Sequence, residues 1–137
     1  MVMANREHIE VLKQNVDAWN RWRAEDPAVE PHLAGANLHG ANLVLANLSN
    51  AVLTGADLTL ANLMGADLRW ADLRRANLVG ARLVGVDLMG ADVSGADLRT
   101  AEDLTPEQLD ETQGDESTHL PDGFPRPPRW TMPFDAR

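Results

Sequence analysis

From Ala36 to Thr100 the chain repeats one short pattern: a small apolar residue, a polar one, Leu, then two variable positions. Written in fives it reads ANLHG, ANLVL, ANLSN, AVLTG, ADLTL, ANLMG, ADLRW, ADLRR, ANLVG, ARLVG, VDLMG, ADVSG, ADLRT, thirteen units without a gap. The first position is Ala except at Val86, and the third is Leu except at Val93. The second is Asn or Asp except at Val52 and Arg82. A period of five suits neither a helix, with 3.6 residues per turn, nor a flat strand, whose side chains alternate strictly. Ala in, Asn or Asp out and Leu in is extended chain; the two outward residues that follow break the alternation. The chain must therefore turn once per unit. Extended pieces turning the same way at equal intervals wind into a coil, and successive coils can pair their backbones about 4.8 Å apart. Gly at the fifth position of many units fits a corner with unusual dihedrals.

The number of sides per coil does not follow from the alternation. The A(D/N)LXX units resemble the pentapeptide-repeat family, and the resemblance covers about half the chain. It implies an all-β solenoid, a right-handed quadrilateral β-helix with twenty residues per coil and residues twenty apart stacked. Thirteen units then make a little over three coils, a stack roughly 15 Å tall.

A solenoid exposes core side chains and backbone edges at both ends and needs caps. Residues 1–30 are expected to form an N-terminal capping helix and linker. Ile9, Leu12, Val16 and Trp19 share one helical face, with Trp22 alongside, and the helix stops before Asp26-Pro27. The coil is assigned to residues 31–104. The register breaks at "AEDLT", where one extra residue shifts Leu104 out of phase. Residues 105–137 read as a C-terminal capping helix and a Pro-rich tail. Thr105, Pro106 and Gln108 supply a capping box, Gly114 a stop, and Leu109 the plug. Leu120, Phe124 and Trp130 are possible anchors of the tail along the coil, and the tip past Trp130 is expected to be disordered.

Charge narrows the partners. The net charge of −9 is spread out. Residues 1–30 carry four basic and six acidic side chains, residues 31–104 five and eight, residues 105–137 three and seven. An acidic chain is not expected to bind nucleic acid directly, since phosphate binding needs a basic surface. The chain has no Cys, hence no disulfide framework or Cys-based zinc site. It shows no secretory h-region and no apolar run of membrane-spanning length, so a cytoplasmic location is expected.

Catalytic chemistry is not expected either. His8, His32, His39 and His119 lack metal-ligand spacing and read as solvated. The glycines follow the repeat and not a phosphate loop, and no nucleophile sits beside a plausible base. The Asn/Asp columns read as structural repeat positions, with Asn37, Asp57, Asn77 and Asp97 in one stack. No catalytic residue, metal or cofactor is assigned.

What remains is surface. Val44, Met64 and Val84 stack at the fourth position of their units, with Leu45 and Leu60 at neighbouring corners. Such a column calls for a cover or a partner: either the tail or the N-terminal helix lies over it, or it is a contact face. A second patch joins Arg69, Trp70, Arg74, Arg75 and Met89, residue types common in binding hot spots. Its plainer reading is favoured, with the arginines neutralising the Asp columns and Trp70 shielding a corner. The expected function is a non-catalytic interaction or scaffold module, monomeric or homodimeric, with a protein partner. The family resemblance implies an alternative, since some members mimic DNA and bind DNA gyrase. The coil's net charge of −3 and its height, under half of a ~34 Å duplex turn, disfavour that.

Overall fold

A computed structural model describes residues 5–132. The repeat winds as a four-sided coil, and the proof is in the pairing. Asn37 bridges Asp57 in parallel, Asp57 bridges Asn77, and Asn77 bridges Asp97, always twenty residues on. Each side makes one such bridge at its second position, and two of every five residues are spent on the corner, so no side becomes a longer strand. The backbone ladder is regular all the same. Leu58 N–H donates to the Asn77 carbonyl at 2.8 Å, and Asp57 N–H to the Ala36 carbonyl at 2.9 Å.

The three fixed positions have separate physical reasons. Ala and Leu at positions one and three point inward and are buried from Leu33 to Leu98, as are Val86 and Val93, with Ala41 only partly buried. A fully buried Leu contributes about 1.5–3 kcal/mol, and the coil repeats that contact along its whole length. Asn or Asp at position two folds its side chain back on the corner: Asp57 Oδ1 accepts from Thr59 N–H at 3.0 Å, and Asn62 Oδ1 from Met64 N–H at 3.1 Å. These short loops satisfy backbone donors at the turn. Val52 and Arg82 lack the acceptor to do so.

The fifth position takes a left-handed conformation whether or not it is Gly: Leu45, Leu60, Trp70 and Arg75 all have φ between 58° and 62°. Dihedral freedom alone therefore does not explain where the glycines fall. The coil below does. Trp70 lies over Gly90, where a Cβ would stand 2.1 Å from its ring, and Leu45 lies over Gly65 in the same way. A large corner residue requires a small one twenty positions later.

The winding runs past the expected boundary at 104. Glu102 still bridges Arg82, Asp103 turns with φ 61°, and the chain then leaves the coil for α3, Pro106–Leu109. It returns to pair Gln113 with Asp92 and His119 with Asp97. The column from His32 through Val52, Asp72 and Asp92 to Gln113 makes the stack about 19 Å tall at strand spacing, taller than expected. The capping box of Thr105 and Gln108 is present, and Leu109 is buried. Gly114 does not stop the helix, which ends at Leu109; it occupies a Leu-like place in the returning coil, and the Trp130 ring fills the space, 2.4 Å from where a Cβ would be. The tail does not run along the coil. It folds beneath the end, where Arg126 donates to the Asp115 and Thr118 carbonyls at 2.7 and 2.9 Å. The part of the tip beyond Met132 lies outside the described residues.

The expected single N-terminal helix is two: α1, Arg6–Gln14, and α2, Val16–Glu25. Asn15 breaks it with an extended backbone and caps α2, its Oδ1 accepting from Ala18 N–H at 2.7 Å. The pair folds over the first coil with Trp19 fully buried.

Candidate interaction surfaces

Both helices of the N-terminal cap treat the first coil as an edge to be completed. Trp19 Nε1–H and Arg23 Nη1 donate to the Asn47 carbonyl at 2.7 and 2.8 Å, and Arg23 Nη2 donates to the Ser49 carbonyl at 2.9 Å. Asn20 Oδ1 accepts from Asn47 N–H at 2.8 Å. His32 N–H donates to His8 Nδ1 at 2.9 Å, and the His8 ring lies against Trp22 and His32. His8 is therefore buried, not solvated as its spacing suggested. Burial, helped by His32 and opposed by Glu7, lowers its pKa from the ordinary 6.5.

Of the five residues in the first candidate surface, Val44, Met64 and Val84 lie on one side of the coil, with Leu45 and Leu60 at its corners. Met64 and Val84 are each 42% exposed, Leu45 and Leu60 above 60%. Val44 is half-buried and shares a groove with Leu12 and Val16 at the α1–α2 junction. So the N-terminal cap reaches the top of the column, while the described part of the tail, tucked under the far end, does not cover it. On this side Arg82 and Glu102 lie 3.4 Å apart and pair with each other, with exposed Asp103 beside them.

The second patch spans two sides, Arg69, Trp70 and Met89 on one and Arg74 and Arg75 on the next. Two of its three arginines, Arg69 and Arg74, are engaged. Arg69 grips Asp67 with bonds of 2.9 and 2.7 Å, and Arg74 grips Asp72 with 2.8 and 2.7 Å. Arg99 does the same to Asp97 on a third side. Hydrogen bonds from Arg69 hold the Asp67 carboxyl below the usual range, and Arg99 does so for Asp97. Trp70 and Met89 remain about half exposed. On these sides Asp67, Asp72 and Asp97 are each clamped by a guanidinium, while Asp87 lies 4.0 Å from the shared Arg69 and Asp57 accepts from Thr59.

Sequence reasoning missed a third feature, a groove of about 800 Å³ between the last coil and α3. Val84 belongs to it as well as to the exposed column. Its only signal in the sequence is the register break before Leu104. Among the described residues no group of His, Asp and Glu is arranged to hold a metal ion.

Residues 32–69 and 66–101 match a family model described as pentapeptide repeats, with 8 copies. Among solved structures, the chain is similar to a pentapeptide repeat protein (Rfr23) from the cyanobacterium Cyanothece 51142: 32% identity and a TM-score of 0.54, over 61% of this chain and 56% of that one. It is also similar to HetL, a pentapeptide repeat protein involved in heterocyst differentiation regulation from Nostoc sp. strain PCC 7120, at 28% identity and a TM-score of 0.34, over 65% and 53% of the two chains. A third match is QnrB1, a plasmid-mediated fluoroquinolone resistance protein, at 17% identity and a TM-score of 0.41, over 73% and 56%. The low TM-scores of the last two leave them without weight for this chain. The chain spans about half the length of these solved proteins. No curated protein matches it.

Proposed function

The chain belongs to the pentapeptide-repeat family, and we propose that it is a non-catalytic binding module: a stiff, right-handed four-sided coil, capped by helices, that holds one side ready for a protein partner in the cytoplasm. One observation carries this reading. Met64 and Val84 stay open to solvent on a side where Arg82 pairs with Glu102, with Leu45 and Leu60 projecting at its edges. Exposed apolar area of that continuity on a rigid support suits a contact face. The Asp67, Asp72 and Asp97 carboxylates are clamped by arginines, which speaks against imitation of duplex phosphate.

The test is capture from host lysate with the wild-type chain and a Met64→Glu/Val84→Glu variant, both checked by circular dichroism. A partner retained by the first and lost by the second supports the face. Equal capture by both would sink it, and gyrase appearing among the captured proteins would revive the DNA-mimic alternative.

A further inference from the structure

The last coil is incomplete on one side, and the gap has the shape of a missing strand. In the coils above, each inward Leu amide has a carbonyl beneath it: Leu48 N–H bonds Asp67, and Leu68 N–H bonds Asp87, at 2.8 and 2.9 Å. Beneath Leu88 the chain has left the coil for α3. Gln108 reaches back in place of the absent strand, its Nε2 donating to the Val86 carbonyl at 3.1 Å, and on the other flank Gly90 N–H bonds the Glu111 carbonyl at 2.8 Å. Between these two fixtures Leu88 N–H has no acceptor among the described residues, though Leu88 is buried. The groove below it has an apolar floor that includes Val84, Leu88 and Leu104, and a rim that includes Asp103, Glu107 and Glu111. No Lys or Arg lines it.

We propose that this groove takes a short extended peptide segment of a partner protein, one that alternates apolar with Lys or Arg side chains. A peptide carbonyl would accept from Leu88 N–H as the Asp87 carbonyl accepts from Leu68, which is strand addition to an open edge. Period-two alternation puts one set of side chains on the floor and the other toward the acidic rim. An acidic or purely apolar segment would leave four carboxylates, Asp87, Asp103, Glu107 and Glu111, facing like charge or nothing, so charge selects the occupant. The inference rests on the reading of the chain as a binding module, and Val84 joins the groove to the exposed column.

The probe is a fluorescein-labelled Lys-Val-Lys-Val-Lys-Val peptide with blocked ends, titrated into the full chain and followed by anisotropy. Amide spectra of the ¹⁵N-labelled chain are recorded in parallel. Binding is expected, with a downfield shift and slowed exchange of the Leu88 amide. The Glu107→Lys/Glu111→Lys variant, whose changes are exposed, is expected to bind about tenfold more weakly, and Glu10→Lys, an exposed reversal on α1 at the opposite end, to bind as wild type. No binding, equal binding of a Glu-Val counterpart, indifference to the rim reversal, or shifts that bypass Leu88 would each overturn the proposal. A silent Leu88 alongside partner loss in the Met64→Glu/Val84→Glu variant sinks the groove and leaves the face; the converse sinks the face alone.

Discussion

The coil has two ends, closed in different ways. At the N-terminal end the backbone edge is met by side chains from a separate helix pair: Trp19, Asn20 and Arg23 above Asn47 and Ser49, and His8 above His32. At the C-terminal end the chain keeps winding, so Gln113 and His119 meet the edge with backbone, and Trp130 supplies the core side chain that Gly114 lacks. A lid held by a handful of side-chain bonds can lift as a unit, whereas a coil that thins out loses one level at a time. Closing with backbone leaves a different flaw: where α3 interrupts the winding, the edge stays partly open, and the groove is the result.

The comparison breaks most sharply at Trp130. Its ring is buried against Gly114, and its Nε1–H reaches toward the Thr112 carbonyl. Trp130→Ala is expected to destabilise the chain by about 3–5 kcal/mol. Hydrogen exchange should localise the loss to the amides of Gln113 and His119, with the helix pair unmoved. Faster exchange in α2 as well would mean that the two ends are not independent.

Arg23→Met is the matching cut at the other end. The apolar stem is kept and the guanidinium removed, leaving the Ser49 carbonyl without its donor while Asn47 keeps Trp19. About 1–3 kcal/mol of destabilisation follows from an unmet buried acceptor, and its measure is faster exchange across α1 and α2 before global unfolding. No change in exchange there would show that Trp19, Asn20 and His8 hold the lid without it.

How much of this was legible beforehand depends on whether a position repeats. In the coil every residue meets the same environment as the one five before it, so thirteen units declare their inward and outward positions together. The corner rule is legible too once twenty residues per coil is known, since Leu45 with Gly65 and Trp70 with Gly90 are pairs at that spacing. The caps occur once each. Arg23 and His8 have the composition of solvated side chains, and nothing local says that their polar atoms meet a backbone edge more than twenty residues away. Asn15 could be read as one more helical residue until its capping role is seen. The groove was the least legible of all, because it is made by what α3 displaces and not by a motif. The outward Met64 and Val84 were visible as a column, but whether the tail would cover them hung on where Trp130 seats.

The smallest expected effect sharpens the comparison through pH. His8 Nδ1 must be unprotonated to accept from His32 N–H, and the neighbouring His32 ring disfavours a charge there, with Glu7 alone favouring it. Its folded pKa lies below the ordinary 6.5, so the undocked state binds the proton more readily. The contribution of His8 is therefore complete above 6.5 and is lost as pH falls from there through the lowered folded value. Protection factors in α1 and α2 should fall over that window, while those of Gln113 and His119 stay constant. His8→Asn offers an acceptor near the Nδ1 position without a titrating ring, and it should flatten the dependence at the N-terminal end. If the variant loosens with acid as the wild type does, the proton acts elsewhere than at His8.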